Sequence, residues 1–97
     1  MTNGSEQWVL ILYIAGMTPA AKRAQANIIA ICEEHLAGRY SVEVIDLFER
    51  PEMAEGRQIV AVPTVVRKLP PPIRKIIGDL SNAEKAVWGL DIVPRPC

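Results

Sequence analysis

The stretch Trp8-Val9-Leu10-Ile11-Leu12-Tyr13-Ile14-Ala15-Gly16-Met17-Thr18-Pro19 decides the fold. Its apolar residues run without alternation, which is typical of a central strand that is covered on both faces of a sheet. Thr18 followed by Pro19 predicts a helix start, because a Thr hydroxyl accepts hydrogen bonds from free backbone N–H groups and proline tolerates the first helical position. The sequence therefore predicts a buried strand that leads through a short loop into a helix.

The residues that follow predict a βαβ unit. Apolar residues at three- and four-residue spacings continue the helix to about Leu36, and Gly38 marks its end. Tyr40 to Leu47 is rich in β-branched residues and predicts a second strand. The short loops favour parallel strands, a right-handed crossover and a helix on one face of the sheet. The spaced apolar residues are Ala24, Ile28, Ile31, Cys32 and Leu36.

The segment 50–93 mixes signals for helices, strands and turns. Pro51 can open a short helix over Glu52 to Gln58, and the β-branched run from Ile59 to Val66 predicts a strand. Pro63 interrupts this run, and because proline cannot donate to a ladder it implies an edge, a strand start or a cis turn. The local signals therefore disagree in this half of the chain.

Two more elements are predicted towards the C-terminus. Leu69-Pro70-Pro71-Pro72 is a stiff connector, and Ile73 to Ile77 predicts a short strand. Ser81 and Glu84 have the spacing of a capping box, which predicts a last helix with Ser81 as its N-cap. The apolar positions of this helix are Ala83, Ala86, Val87 and Leu90.

Composition excludes several classes of function. The chain has 97 residues and a formal net charge of zero, which argues for a single domain and against binding to nucleic acid through its phosphates. The longest apolar run, Trp8 to Ala15, is far too short to span a membrane, and the polar N-terminus predicts a cytoplasmic protein. With Cys32, Cys97 and one histidine, His35, neither a disulfide framework nor a metal cluster is expected. No glycine-rich phosphate loop or paired carboxylates occur, so we expect neither a cofactor nor an enzyme.

The predicted order of elements, βαβαββα, matches an α/β domain of the thioredoxin-like type. Val62-Pro63-Thr64 precedes a predicted strand, where thioredoxin-like domains carry a cis-proline. Redox thioredoxins have Cys-x-x-Cys after the first strand, whereas this chain has Met17-Thr18-Pro19-Ala20 at that place. Dithiol exchange at this position is therefore excluded.

Five segments match a known family: Leu12 to Pro19, Val44-Ile45-Asp46-Leu47, Ala61-Val62-Pro63-Thr64, Leu69 to Leu80 and Gly89-Leu90-Asp91. From residue 8 to residue 93, the sequence closely resembles the KaiB family of circadian-clock proteins. The resemblance implies a non-enzymatic regulator that binds the N-terminal ATPase ring of the KaiC hexamer and modulates the phosphorylation and ATPase activity of KaiC. KaiA and a clock-output histidine kinase are further partners where the organism has them.

KaiB-like proteins are metamorphic, and the resemblance implies two folds for this chain. The resting form is a dimer or tetramer with a βαββααβ fold, and the KaiC-binding form is a thioredoxin-like monomer; slow switching between them supplies delay. Residues 8–47 form the constant half and residues 50–93 the switching half, which agrees with the mixed signals in the latter. The ends, 1–7 and 94–97, are expected to be flexible.

The resemblance also indicates partner-binding or switch residues, each with a simpler explanation. Arg23, Arg74 and Lys75 match basic family positions, although charges on a helix or strand surface are usually only solvated. Gly89 and Asp91 match a Gly-x-Asp motif tied to the balance between the folds, although glycine also ends ordinary helices. The remaining candidates are Gln58, in the segment placed against KaiC, and Pro63.

Other assignments remain open. Trp8 and Trp88 can mark an interface or belong to the core, because tryptophan is enriched at interfaces and is also well buried on average. A KaiB-like stress-response adaptor that is not tied to rhythm is the main alternative function. A thioredoxin-like redox protein is a weaker alternative, because Met17 and Ala20 stand where the two thiols are needed.

Overall fold

The apolar run after Gln7 forms the central strand of a four-stranded mixed sheet, as its sequence predicts. The computed structural model describes residues 7–53 and 61–92, apart from the side chain of Ala83. Within these ranges the strand order is β2-β1-β3-β4; β1 is parallel to β2, and β3 is antiparallel to both β1 and β4. The strands are β1 at Trp8–Ile14, β2 at Tyr40–Asp46, β3 at Thr64–Leu69 and β4 at Arg74–Ile77.

Both faces of β1 are buried, which explains why its apolar residues do not alternate with polar ones. Leu10 and Leu12 point to the face that the helices cover, and both are fully buried. Ile11 and Tyr13 point to the opposite face, where they pack with Ile45 of β2 in a smaller cluster. Because the side chains of a strand alternate between faces, a strand covered on both sides needs apolar residues throughout.

Helix α1, Pro19–Leu36, begins and ends where the sequence predicts. Thr18 is its N-cap, and the Thr18 hydroxyl accepts a hydrogen bond of 3.1 Å from the backbone N–H of Ala21. Gly38 follows the helix with a φ of +78°, a backbone conformation that glycine adopts without strain. The buried side of the helix consists of Ala21, Ala24, Ile28, Ile31, Cys32 and Leu36.

The second half differs from the predicted boundaries. A 3₁₀ turn at Pro51–Met53 occupies the start of the short helix predicted over Glu52 to Gln58, and the rest of that prediction lies outside the described residues. Strand β3 begins only after Pro63, because proline has no N–H for the ladder, and it continues past Val66 to Leu69. The Val62–Pro63 bond is cis, which agrees with the thioredoxin-like prediction.

Helix α2, Ala83–Gly89, starts one residue later than predicted. Ser81 is not its N-cap, because the Ser81 backbone N–H donates to Asp79 Oδ1 at 3.0 Å in a preceding turn. Asn82 is the N-cap instead, and its side chain accepts from the N–H of Lys85 at 3.0 Å. Serine and asparagine are comparable caps, so the turn at Asp79 decides between them.

The two helices pack on the same face of the sheet and share its main core. Helix α1 contacts β1 and β2, whereas α2 contacts β4 and α1. This arrangement, with a βαβ unit followed by an antiparallel hairpin and a last helix, is the thioredoxin-like α/β fold. Among the described residues, no helix has the length and hydropathy needed to cross a membrane.

Candidate functional site

Three exposed apolar side chains mark one end of the sheet. Met17 follows β1, Phe48 follows the parallel strand β2, and Val62 precedes the antiparallel strand β3, so all three lie at the same end. Phe48 is the most exposed large apolar side chain among the described residues, at 76 %. We call this group (Met17, Phe48 and Val62) the loop surface. The sequence pattern did not single out Phe48, because a single apolar residue in a turn gives no periodic signal.

Asp46 at the end of β2 organises the loop surface. Its Oδ1 atom accepts hydrogen bonds from the backbone N–H groups of Gly16 at 3.0 Å and Phe48 at 2.9 Å, which ties the loop after β1 to the loop after β2. A Cβ atom at Gly16 would lie 3.3 Å from the Phe48 ring, and Gly16 also has a φ of +79°. The positive φ favours glycine at this position, and the Phe48 ring lies close against Gly16.

Arg23 connects α1 to the turn between β4 and α2. The Arg23 Nε atom donates to Asp79 Oδ2 at 2.8 Å, and the Asn27 side chain donates to the Asp79 carbonyl at 2.8 Å. The hydrogen bond from Arg23 lowers the pKa of Asp79, and hydrogen bonds from Ser81 act in the same direction. The Arg23 side chain is still 57 % exposed, so it has a structural partner and remains accessible.

Arg74 and Lys75 lie side by side on β4, the edge strand next to β3. Both residues are exposed, and the strand register places them on opposite faces of the sheet: Arg74 pairs with Arg67, and Lys75 pairs with Val66. Ile73 and Ile77 are also exposed, at 63 % and 61 %. The two basic residues therefore do not form one patch on a single face.

Gly89 is the last residue of α2, and Asp91 follows it by two positions. A Cβ atom at Gly89 would lie within 2.9 Å of Ile76 Cγ1, so the glycine allows α2 to approach β4 closely. Asp91 has a φ of +57° and contacts the buried side chain of Arg67. The two motif residues thus fix the end of α2 by different means.

The predicted site residues do not form one cluster. Pro63 adjoins the loop surface, and its carbonyl accepts from the N–H of Gly78 at 2.8 Å. Gln58 lies outside the described residues. Trp8 is buried and belongs to the core, whereas Trp88 is 66 % exposed on α2. Only Trp88 is therefore available for an interface in this fold.

The described residues offer little for covalent or metal chemistry. No three His, Cys, Asp or Glu side chains among them converge on a common point. Burial raises the pKa of the Cys32 thiol to about 12, so this thiol stays protonated at neutral pH. Tyr40 donates to Glu33 Oε2 at 2.5 Å, and this hydrogen bond raises the pKa of Tyr40 to about 12. Neither group has the lowered pKa of a nucleophile.

Comparison with known families identifies the chain from its sequence. The family described as the KaiB domain matches residues 11–92, which is most of the chain. The chain belongs to the KaiB family. The circadian clock protein KaiB3 of Synechocystis sp. is 51 % identical over 87 residues, covering 90 % of this chain and 85 % of that protein. The circadian clock oscillator protein KaiB of Rippkaea orientalis is 46 % identical over 93 residues, covering 96 % and 89 %.

Solved structures support the fold of this KaiB-family chain. The N-terminal domain of Synechococcus elongatus SasA has a TM-score of 0.73 at 20 % identity, covering 95 % of this chain and 90 % of that domain. Mitochondrial thioredoxin 3 from Saccharomyces cerevisiae has a TM-score of 0.70 at 20 % identity, covering 93 % and 82 %. Both comparisons bear on the fold alone, and both agree with the thioredoxin-like prediction.

Proposed function

We propose that this KaiB-family protein is a circadian-clock regulator that binds the N-terminal ATPase ring of KaiC. The observation that carries the proposal is the thioredoxin-like fold of a chain in this family, because the resemblance assigns that fold to the KaiC-binding form. Binding would modulate the phosphorylation and ATPase activity of KaiC. ATP would belong to the partner, and KaiA or a clock-output histidine kinase would join where the organism has them.

The proposal includes a second state. The free protein rests as a dimer or tetramer with the βαββααβ fold in the cytoplasm, and slow conversion of residues 50–93 delays its binding to KaiC. Gly89 and Asp91, which hold the end of α2 in the described fold, are the proposed switch residues together with Pro63. Residues 8–47 keep their βαβ structure in both states.

The proposed contact surface combines the loop surface with Arg23. Met17, Phe48 and Val62 expose apolar area at the end of the sheet, and an exposed aromatic side chain of this kind is a typical interface anchor. Arg23 lies in the first turns of α1, which starts at the same end, and it keeps an accessible guanidinium. Gln58, Arg74 and Lys75 are further proposed contacts.

Size-exclusion chromatography of the protein with and without a KaiC hexamer, in ATP and without nucleotide, tests the proposal. We expect co-elution with KaiC only when nucleotide is present, and an oligomer larger than a monomer for the protein alone. Failure to co-elute under any nucleotide condition, over hours of incubation, would contradict the binding proposal.

A pair of variants tests whether Arg23 itself contacts the ATPase. Arg23→Gln removes the cation and the Asp79 hydrogen bond, whereas Asp79→Asn weakens the same bond and keeps the cation. We expect Arg23→Gln to weaken KaiC binding about tenfold, or roughly 1.4 kcal/mol, and Asp79→Asn to leave binding almost unchanged. Equal losses in both variants would mean that Arg23 acts only by holding the Asp79 turn.

Two alternatives have clear tests. A stress-response adaptor would bind a KaiC-like ATPase without any effect on rhythm, so a knockout in a strain with a rhythmic reporter separates it from a clock component. A redox protein would reduce insulin disulfides. The second alternative is disfavoured because Met17 and Ala20 flank Thr18 and Pro19 where a thioredoxin has its thiols.

A further inference from the structure

Asp46 holds four backbone N–H groups at one end of the sheet. Its Oδ1 atom accepts from Gly16 at 3.0 Å and from Phe48 at 2.9 Å. Its main-chain carbonyl accepts from the N–H groups of Glu49 at 3.0 Å and Arg50 at 2.9 Å. The carboxylate therefore joins the loop after β1 to the loop after β2, and the carbonyl closes the turn that carries Phe48.

The turn after β2 begins at Phe48, because Leu47 is still attached to the sheet. The Leu47 N–H donates to the carbonyl of Ile14 at 2.7 Å, and the Leu47 side chain packs against the smaller apolar cluster that contains Tyr13. The next side chain, Phe48, points into solvent. Leu47 therefore fixes the base of the turn, and the hydrogen bonds to Asp46 fix its tip.

The Phe48 ring has a defined position although most of it is exposed. Its Cδ2 and Cε2 atoms both lie 3.3 Å from the point that a Cβ atom would occupy at Gly16. An exposed aromatic side chain loses conformational entropy when a partner orders it, and a ring that is held in place before binding avoids part of that loss. The Asp46 hydrogen bonds supply this restraint, because they join the backbone of Gly16 to the backbone of Phe48.

We propose that Asp46 is a positioning residue for partner binding, which preorganises the loop surface by holding Phe48 against Gly16. The inference deepens the proposed function and rests on it, since KaiC is the partner that the loop surface would meet. Binding requires an acceptor oxygen of the right reach at this position and not a negative charge, because both hydrogen bonds come from neutral backbone N–H groups to one atom. Gly16 and Asp46 lie within residues 8–47, so their contact belongs to both proposed states.

A double-mutant cycle of affinities for the KaiC hexamer in ATP tests the positioning role. Phe48→Ala removes the ring, and we expect about thirtyfold weaker binding. Asp46→Ala removes the acceptor, and we expect about tenfold weaker binding, but no further loss when Phe48→Ala is already present, because Asp46 acts through the ring.

Two further variants separate the acceptor from the charge. Asp46→Asn keeps an oxygen at the same reach without the charge, and its affinity should stay within about twofold of the unmodified protein. Glu43→Ala removes an exposed carboxylate from the same strand, so it is the matched control and should bind KaiC as the unmodified protein does.

Three results would overturn the positioning role. Losses that add in the double variant would show that Asp46 acts independently of Phe48. Unchanged binding by Asp46→Ala, or equal losses in Asp46→Asn and Asp46→Ala, would reject the acceptor. If Asp46→Ala does not fold, Asp46→Glu decides: it keeps the charge but carries the carboxylate one methylene further out, so we expect about fivefold weaker binding than for Asp46→Asn, and equal or tighter binding would reject the proposal.

Hydrogen exchange on the free protein separates a failure of this inference from a failure of the proposed function. No binding of the unmodified protein to KaiC would reject the proposed function. The Gly16 amide should still exchange about tenfold faster in Asp46→Ala, while the Leu47 amide, which donates to Ile14, changes by less than about twofold. Both amides lie in the half that is common to the two proposed states. Unchanged exchange at Gly16 would reject the positioning role whatever the result with KaiC.

Discussion

At the scale of single residues, the two described groups with strongly raised pKa values are raised for different reasons. Cys32 is fully buried in α1, and its pKa is raised mainly by desolvation. The pKa of Tyr40, at the start of β2, is raised mainly by the hydrogen bond from its hydroxyl to Glu33. Burial keeps the Cys32 thiol from contact with reagents in solvent, whereas the Tyr40 hydroxyl only makes a local contact between β2 and α1. Neither residue therefore supports an enzymatic function.

The burial of Cys32 leads to a prediction about thiol reactivity. Because the thiolate is the reactive form and the pKa of Cys32 is about 12, this residue should not react in the folded protein at neutral pH. In a Cys97→Ser variant, we expect no labelling by a thiol reagent under native conditions and complete labelling in denaturant. Rapid native labelling would show that α1 opens or that Cys32 is accessible, and it would revive the redox alternative.

At the scale of elements, the first half of the fold is predictable because its signals are local. The run from Trp8 to Ile14, the Thr18 cap and the Gly38 turn each lie within a few residues of the structure they specify. The sequence therefore predicts the start of α1 after Thr18 and its approximate end at Leu36, and it predicts β2 to within one residue of its observed end at Asp46.

The second half is less predictable because its determinants are distant in sequence. Arg67 and Lys68 look like the solvated end of a strand, yet β3 continues through them to Leu69. Arg67 can be buried only because Trp8, Pro72 and Asp91 meet around it, and no short window of sequence contains all three. The Asp79 turn displaces the helix cap from Ser81 to Asn82 for a similar reason.

The close approach of α2 to β4 gives a prediction at the same scale. Gly89→Ala improves helix propensity by about 1 kcal/mol, but its methyl group would collide with the side chain of Ile76. We expect the collision to be relieved in an Ile76→Ala background, which removes both the Cδ1 and the Cγ1 atoms, so that the two substitutions are coupled by about 1 kcal/mol in a double-mutant cycle of unfolding free energies. Additive effects of the two changes would mean that Ile76 moves aside at no cost.

At the scale of the whole molecule, two contacts fasten the C-terminal segment, residues 72–92 with β4 and α2, to the rest of the fold at opposite ends. The Arg67 contacts lie near the start of β1, and the Arg23–Asp79 pair lies near the start of α1. The main core spans both halves, with Leu80, Leu90 and Ile92 contributed by the C-terminal segment. The stability of that segment therefore depends on a few side chains more than on extensive strand pairing.

The Asp79 contact predicts how stability depends on pH. Hydrogen bonds from Arg23 and Ser81 lower the pKa of Asp79 in the folded state. The contribution of ionised Asp79 to the free energy of unfolding is therefore complete at neutral pH, and it is lost as the pH falls below the ordinary aspartate pKa of about 3.9. The difference in unfolding free energy between the unmodified protein and Asp79→Asn should therefore shrink on acidification. Glu34→Gln, an exposed carboxylate change on α1, controls for net charge. A difference that stays constant down to low pH would contradict the assignment.

The shared position of Trp8 and Asp91 around one guanidinium has a consequence for tethering the protein. Both side chains contact Arg67, so the chain enters the sheet and leaves α2 at the same place. The loop surface lies at the far end of the sheet, since β1 runs from Trp8 towards Gly16. A label or an anchor attached next to Trp8 or Asp91 would thus lie at the opposite end of the sheet from Met17, Phe48 and Val62. Two spectroscopic labels, one next to Trp8 and one next to Asp91, would measure the distance between these positions. A short distance would indicate that this fold is intact.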